Sequence, residues 1–284
     1  MALNLLKAGF PITVYNRTVT RADALVAEGA TLTSTPREAA VQQDVIITMV
    51  SDDTSIHSVY YGTDGLLAAL QPGAIVIDCS TISPALSKQL ATDIESAGGR
   101  FLDAPVTGSK PAAIDGTLVF MVGGPADTLE ATQPLFDIMG KKVLHMGENG
   151  TGSIAKLAHN TIVGINNLAL AEGFAIASKS GLPVESFLEL VQLGSAGSKA
   201  AELKGRKIIE HNFDNQFSLA LMLKDLKLAT SLTDSASIPS PMLNLAKTLF
   251  QSGQTQGYGD EDLSAVVKVY EQWIGQQIAG GKLL

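Results

Sequence analysis

The first half of the chain alternates short apolar runs with stretches of helical composition. Six runs are rich in β-branched and aromatic residues and end in polar residues or glycine: FPITVYN, DVIITMV, AIVIDCS, RFLDAPV, TLVFMVGG and KKVLHMG. Helical patterns such as RADALVAEGA and SPALSKQLATDIESAGG lie between several of them. Strands that are apolar on both faces and separated by helices indicate a parallel sheet covered on both sides. Residues 1–150 are therefore predicted to form an α/β, doubly wound domain.

The second half changes character near Gly150, where strand signals almost disappear. One long helical pattern without proline runs from Ser153 to about Lys179 and is followed by Gly181 and Pro183, the usual punctuation after a helix. Residues 151–284 are predicted to form an all-α domain. Its further helices are expected at 184–192, 218–234, 241–251 and 260–279.

Composition restricts the class of protein. The chain has 284 residues, of which 45% are hydrophobic and only 17% charged, so it can bury a large core and is not disordered. The net charge is −8 and no run of Lys or Arg stands out, which argues against nucleic-acid and membrane-surface partners. The lone cysteine, Cys79, cannot form an internal disulfide, and the sequence shows no signal-peptide core or run of about 18 apolar residues. A cytoplasmic protein is expected.

The start of the chain departs from the usual pattern of a dinucleotide-binding domain. Such a domain of the Rossmann type opens with a strand, a GxGxxG turn and a helix that receives the pyrophosphate. Here residues 2–8 are already helical in composition, and 10–15 has the pattern of a second strand. We expect an N-terminally truncated domain that lacks the first strand and the glycine-rich turn. A fold that never contained this motif is the alternative.

The tip of that second strand carries the sequence Asn16-Arg17-Thr18, without a carboxylate. An acidic residue at this position accepts the ribose 2′-hydroxyl of NAD, whereas a nearby arginine accommodates the 2′-phosphate of NADP. Arg17 can pair with a phosphate and Thr18 can donate a hydroxyl. The tip therefore favours NADP as the cofactor, although a solvated loop arginine has the same appearance.

Four blocks resemble the β-hydroxyacid dehydrogenase family, which includes 3-hydroxyisobutyrate dehydrogenases, tartronate semialdehyde reductases and glyoxylate/succinic semialdehyde reductases. They are DCSTISP at 78–84, FLDAPVTGSKPAAIDGTLVFMVGG at 101–124, GENGTGSIAKLAHN at 147–160 and LMLKDLKLA at 221–229. The second block is most similar to the glyoxylate/succinic semialdehyde reductase branch. The resemblance implies a Rossmann-type NADP-binding domain followed by a helical domain for substrate binding and dimerisation.

By this resemblance Lys156 is the catalytic lysine and Asn160 is its partner. Carbonyl reduction needs a proton donor for the oxygen, and a partly desolvated lysine can serve. Asn160 follows at i+4 and so emerges on the same helical face. Taken alone, Lys156 would more often be an ordinary surface lysine.

The segment DAPVTGSKP lies where a strand gives way to a helix, at the edge of the sheet where ligands bind. Thr107 offers a hydroxyl, while Gly108 and Ser109 offer backbone N–H groups. We expect these three residues to bind a small carboxylate substrate. In the resembling family a serine often stands at the position of Thr107, so this chain keeps the hydroxyl and adds a methyl group.

The resemblance also implies that Met49, Val50, Thr81 and Lys224 contact the cofactor. Met49 could instead be a core methionine, and Lys224 could be a lysine whose stem lies along an apolar face. Asp225 is not expected to share the face of Lys224. The four histidines show no ligand spacing, so no metal is expected.

The predicted function is NADPH-dependent reduction of a small aldehyde or keto acid, such as glyoxylate, succinic semialdehyde or tartronate semialdehyde, to the hydroxy acid. NAD-dependent oxidation of 3-hydroxyisobutyrate is the alternative within the same class. A non-catalytic truncated remnant with weakened cofactor binding is the alternative outside it. The long apolar helix further predicts a homo-oligomer, a dimer or tetramer, assembled through residues 153–279.

Overall fold

The computed structural model describes residues 1–278 and resolves the chain into two compact units, Met1–Lys156 and Leu157–Leu284. Each unit has its own hydrophobic core. Residue 279, the last of the helix expected at 260–279, lies outside the described residues, as does the rest of the expected all-α domain to residue 284.

The predicted runs of the first unit form strands. Its strands are β1 (Thr13–Val14), β2 (Thr31–Leu32), β3 (Val45–Thr48), β4 (Ile75–Asp78), β5 (Arg100–Asp103), β6 (Val106–Thr107), β7 (Leu118–Gly123) and β8 (Gly140–Gly147). Its helices are α1 (Ala2–Lys7), α2 (Asp23–Ala27), α3 (Pro36–Ala40), α4 (Asp53–Tyr61), α5 (Pro84–Ser96), α6 (Ser109–Asp115) and α7 (Ala126–Met139). The α/β, doubly wound prediction is confirmed.

The main sheet has the strand order β3-β4-β5-β7-β6, with β8 beside β7. Strands β3, β4 and β5 are parallel, and their registers place Thr48 opposite Asp78 and Asp78 opposite Asp103. Strand β7, by contrast, is antiparallel to β5 and β6, so the predicted parallel sheet is mixed at these two pairings. The link between β5 and β7 contains β6 and the seven-residue α6, and no long helix returns the chain to make a parallel crossover.

Strands β1 and β2 pair with each other in a separate two-stranded parallel sheet. Within residues 1–278, no strand lies hydrogen-bonded between β1 and β3. Side chains near both sheets still share one core, since Ile12, Val45 and Ile47 pack against the buried cluster that includes Leu5 and Ile77.

The second half is helical, as predicted. Its helices are α8 (Thr151–Lys179), α9 (Val184–Leu193), α10 (Lys199–Ile209), α11 (Leu219–Ser235), α12 (Pro241–Thr255) and α13 (Val267–Ile274). Helix α10 was not predicted, and the glycine inside it explains why, because glycine disfavours helix interiors. The packing explains that glycine: a Cβ at Gly205 would meet the Leu188 side chain at 2.3 Å.

The last predicted helix is shorter than expected at both ends. Leu263–Val266 forms a 3₁₀ turn, and α13 ends at Ile274 because Gly275 adopts a left-handed conformation with φ of 71°. Asp262 caps the turn by accepting from the Ser264 N–H.

Helix α8 is long and apolar enough, by length and composition alone, to cross a membrane. The core helix of a soluble protein satisfies the same criterion. Leu168, Ala171 and Phe174 of α8 belong to the buried core of the second unit, so packing within that unit accounts for part of the helix's apolar character.

Candidate functional site

Lys156 lies at the base of α8 with its side chain buried. The residue is 7% exposed, and its Nζ donates a hydrogen bond of 2.8 Å to the backbone oxygen of Val106 in β6. A lysine held in this way differs from the ordinary surface lysine that the sequence alone would suggest. The bond fixes Nζ next to the segment that begins with Thr107.

The start of α8 is held by Asp103 at the end of β5. Its Oδ1 accepts from the Gly150 N–H at 2.7 Å and its Oδ2 accepts from the Ser153 N–H at 2.8 Å. Burial raises the pKa of the Asp103 carboxyl, and these backbone hydrogen bonds oppose that rise. Gly152 is required here, because a Cβ would lie 2.4 Å from the Met121 oxygen. The helix therefore starts close against the sheet, which places Lys156 one turn later.

The predicted substrate segment forms an exposed turn between β6 and α6. Thr107 ends β6 and is half-buried, while Gly108 and Ser109 are exposed. Gly108 has a φ of +130°, and a Cβ there would meet the Ala112 Cβ at 2.5 Å. Ser109 also has a positive φ, of 58°. The structure thus brings the three predicted substrate residues next to Val106, the residue that Lys156 contacts.

Asn160, the predicted partner of Lys156, lies four residues further along the same helix and belongs to the second unit. Its Nδ2 donates to Oδ2 of Asp225 in α11 at 2.6 Å, and its Oδ1 lies 2.9 Å from Nδ1 of His159. Because the amide oxygen only accepts, the His159 ring must carry its proton on Nδ1 in this arrangement. The amide of Asn160 is therefore fixed in one orientation.

Asp225 is a residue that sequence reasoning missed. It is buried, and besides Asn160 it pairs with Lys224, whose Nζ lies 2.8 Å from Oδ1. The two residues leave different faces of α11, as adjacent helical residues do, and the flexible lysine stem reaches back to its neighbour. An aspartate within the apolar helix sequence LMLKDLKLA was the available signal, because buried carboxylates occur almost always with partners.

The predicted cofactor residues of the first unit follow strands β1, β3 and β4. Asn16, Arg17 and Thr18 are exposed beyond β1, where the Asn16 side chain accepts from the Thr18 N–H at 2.9 Å. Met49 follows β3 directly and is 56% exposed. Val50 and Thr81 are half-buried.

These residues fit a dinucleotide on chemical grounds. Arg17 offers a cation and Thr18 a hydroxyl, the groups that suit a phosphate. Met49 offers an apolar, polarizable surface of the kind that a flat ring can cover. Strands β3 and β4 are parallel and in register, so Met49, Val50 and Thr81 leave the same edge of the sheet. Among residues 1–278, no group of three or more His, Cys, Asp or Glu side chains is arranged to hold a metal.

Two family models match the chain. The NAD binding domain of 6-phosphogluconate dehydrogenase matches residues 1–147, and the NAD-binding domain of NADP-dependent 3-hydroxyisobutyrate dehydrogenase matches residues 150–270. Together they cover both halves of the chain.

Individual proteins are similar over nearly the whole length. The chain is 35% identical to the NAD-dependent L-serine dehydrogenase of Pseudomonas aeruginosa, over 97% of this chain and 95% of the relative. It is 36% identical to glyoxylate/succinic semialdehyde reductase 2 of Arabidopsis thaliana, a chloroplastic protein, over 94% of this chain and 75% of the relative. A crystal structure of 3-hydroxyisobutyrate dehydrogenase from Salmonella typhimurium is similar with a TM-score of 0.87, at 27% identity and 94% coverage of both chains.

Proposed function

We propose, because the chain belongs to the β-hydroxyacid dehydrogenase family, that it reduces a small aldehyde or keto acid to the corresponding hydroxy acid with NADPH. The coarser activity, that of an oxidoreductase acting on CH–OH groups, follows from the family itself. The observation that carries the finer proposal is the buried Lys156 ammonium, 2.8 Å from the Val106 oxygen and next to a turn rich in hydrogen-bond donors.

In this proposal the first unit binds and polarises the substrate. The Thr107 hydroxyl and the N–H groups of Gly108 and Ser109 bind the carboxylate, and the substrate carbonyl faces Lys156. The bound nicotinamide supplies the hydride. Lys156 donates a proton to the carbonyl oxygen as negative charge develops there, and Asn160, fixed by Asp225, supports that lysine. Glyoxylate, succinic semialdehyde and tartronate semialdehyde are the candidate substrates in this proposal.

The experiment that tests the catalytic assignment replaces Lys156 by methionine, which keeps the length of the side chain and removes the ammonium. We expect kcat to fall about a hundred-fold or more, as for the loss of a general acid, with the dissociation constant for NADPH nearly unchanged. Lys142→Met, on the exposed strand β8, is the matched control and should retain parental kcat. A Lys156→Met enzyme within a few-fold of the parent would reject the assignment.

The choice of NADPH rests on Arg17, which is exposed beyond β1 with no acidic neighbour at 16 or 18. Loss of an arginine that pairs with the 2′-phosphate should cost about 1–3 kcal/mol, so Arg17→Asp should narrow or reverse the preference. Comparison of kcat/KM with NADPH and NADH measures this. The relative from Pseudomonas aeruginosa is NAD-dependent, which keeps NAD-dependent oxidation of a β-hydroxy acid such as 3-hydroxyisobutyrate as the second candidate. Equal kcat/KM values in the parent would reject NADPH preference.

A parent chain that binds neither dinucleotide at millimolar concentration would favour the non-catalytic remnant over any dehydrogenase. Fluorescence of the reduced nicotinamide measures such binding directly. If the parent binds a dinucleotide, the substrate test then compares its turnover of the three candidate aldehydes.

The proposal includes a cytoplasmic homo-oligomer, a dimer or tetramer formed by the helical unit. Ile162 and Ile176 of α8 are 60% and 63% exposed and lie about four helical turns apart, hence on one face. Leu190 and Leu193 of α9 are exposed as well. Light scattering should return at least twice the 29.7 kDa of one chain, and a mass of one chain at micromolar concentration would refute this assembly.

A further inference from the structure

A chain of buried hydrogen bonds crosses the ends of β3 and β4. The Tyr60 hydroxyl lies 2.7 Å from Thr48 Oγ1, which lies 2.7 Å from Oδ1 of Asp78. The Ser80 hydroxyl donates to the same Oδ1 at 2.7 Å, and Ser80 Oγ accepts from the Val50 N–H at 2.9 Å. The chemistry proposed for Lys156 and Thr107 does not use this network.

The carboxylate of Asp78 determines which group donates and which accepts in each hydrogen bond of this network. An ionised Asp78 only accepts, so Thr48 and Ser80 must both give it their single hydroxyl hydrogen. Thr48 is then left to accept from Tyr60, and Ser80 is left to accept from Val50. One carboxylate oxygen therefore determines how a backbone N–H in the loop after β3 is held.

The same loop is tied a second time. Oδ1 of Asp53, at the start of α4, accepts from the Ser83 N–H at 3.0 Å. The two loops 49–53 and 79–83 are thus joined by the bond from Val50 to Ser80 and by the bond from Ser83 to Asp53. These loops carry Met49, Val50 and Thr81, the residues assigned to the cofactor.

The buried carboxyl at position 78 costs stability instead of adding to it. Its Oδ2 is buried and has no hydrogen-bond partner among residues 1–278. Burial raises the pKa of Asp78 to about 6, with a further contribution from the charge of Asp103 on the next strand. A buried carboxylate without a cation costs folding free energy.

We propose that Asp78 is a positioning residue, which acts through Ser80 to hold the Val50 N–H and the loop 49–53 in the conformation that receives the dinucleotide. This inference rests on the proposed function, because it concerns the cofactor edge of the same site. Asp78 itself does not touch the reacting atoms in this assignment.

The first test measures hydrogen exchange at the Val50 amide in the full-length protein. Ser80→Ala removes the acceptor of that amide, and we expect its exchange to accelerate about tenfold or more, the size of one hydrogen bond. Tyr60→Phe is the matched control: it deletes a hydroxyl from the same network but leaves Ser80 in place, so Val50 should exchange as in the parent. Unchanged exchange at Val50 in Ser80→Ala, or equal acceleration in Tyr60→Phe, would overturn the proposal.

The second test measures dinucleotide binding by fluorescence of the reduced nicotinamide. We expect Ser80→Ala to raise the dissociation constant about tenfold, with kcat at saturating cofactor within a few-fold of the parent. Asp78→Ala should behave like Ser80→Ala, whereas Asp78→Asn, which keeps an acceptor oxygen, should restore affinity to within a few-fold. If Asp78→Ala does not fold, the Ser80→Ala and Asp78→Asn variants still decide the matter.

The outcomes separate this inference from the proposed function. A parent that binds neither NADPH nor NADH overturns both. A parent that binds, together with a Ser80→Ala variant of equal affinity, leaves the proposed function standing and overturns the role of Asp78.

Discussion

Each of the two units contains the same local motif, but the pKa of its aspartate is raised in the first unit and lowered in the second. Asp78-Cys79-Ser80 in the first unit and Asp262-Leu263-Ser264 in the second are both buried Asp-x-Ser turns. In each, Oδ1 of the aspartate accepts from the N–H and the hydroxyl of the serine two residues later, at 3.3 and 2.7 Å in the first and 3.1 and 2.7 Å in the second. The local geometry is therefore almost the same.

The difference lies at the other carboxylate oxygen. Oδ2 of Asp262 accepts from Lys204 Nζ at 2.9 Å and from the Gln216 N–H at 3.2 Å. Burial tends to raise the pKa of both aspartates, but at Asp262 the hydrogen bond and charge of Lys204, together with Ser264, outweigh burial and lower it. At Asp78 no cation of the described residues 1–278 forms such a pair, and burial raises the pKa to about 6. The same turn is a buried ion pair in one unit and an uncompensated carboxyl beside the proposed cofactor edge in the other.

Removal of Lys204 should have the largest effect, because it converts the second motif into the state of the first. Lys204→Met leaves the Asp262 carboxylate buried without its cation, which typically costs about 3–5 kcal/mol of the free energy of unfolding at neutral pH. Urea unfolding followed by fluorescence of Trp273, the single tryptophan of the chain, reports on this unit.

The control for that variant lies on the same helix. Lys199 also pairs with an acidic residue, Glu202, but both side chains are largely exposed. Exposed pairs contribute little, so Lys199→Met should change stability only slightly. Equal losses in the two variants would contradict the difference between buried and exposed pairs on which the comparison depends.

The next effect concerns pH and the first motif. The folded pKa of Asp78, about 6, lies above its ordinary value of 3.8, so the folded state binds more protons than the unfolded state between these limits. The contribution of this group to the free energy of unfolding therefore falls as pH rises through that window and is constant above it. Asp78→Asn removes the penalty, so the stability of the variant relative to the parent should rise by about 2 kcal/mol from pH 4 to pH 7.

The same substitution in the second motif sharpens this comparison. The pKa of Asp262 is lowered, so its contribution to stability is present above its ordinary value and is lost as pH falls through the folded pKa. Asp262→Asn should therefore become more destabilising relative to the parent as pH rises from acid values to neutral. Urea unfolding followed by circular dichroism at several pH values measures the stability of both variants relative to the parent. If this relative stability changes with pH in the same direction for both variants, the assignment is refuted.

The smallest effect is expected at the outer end of the first network. Tyr60→Phe removes the hydroxyl that Thr48 accepts, while Thr48 keeps its bond to Asp78. The loss should be about 1 kcal/mol, the usual contribution of one hydrogen bond. Thermal unfolding monitored by circular dichroism is sufficient to measure it, and a loss as large as that of Lys204→Met would mean that the network carries the stability of the unit.

Much of the fold was predictable because it depends on local patterns. The apolar runs around β3, β4 and β5 and the proline-free stretch of α8 indicate their elements without any partner. The direction of β7 was not predictable, since strand polarity depends on how the short α6 link packs. Helix α10 was missed because Gly205 is explained only by the side chain of Leu188 on the neighbouring helix.

The candidate site divides in the same way. Lys156, Thr107 and Arg17 were chosen from blocks of sequence, and the structure places Lys156 near the start of α8, Thr107 at the end of β6 and Arg17 beyond β1. Asp225 was missed because its partner Asn160 lies 65 residues away in the chain. A short stretch of sequence around either residue carries no signal of such a contact.

The sequence by itself determined the elements, the order in which they follow one another and the residue types available for chemistry. Tertiary structure alone decided which polar groups meet, and with that their ionisation. Lys204 reaches Asp262 across 58 residues, whereas among residues 1–278 no cation forms an ion pair with Asp78. The physical reason is that the pKa of a buried carboxyl depends on charges within a few ångströms, and those neighbours are set by packing rather than by adjacent sequence.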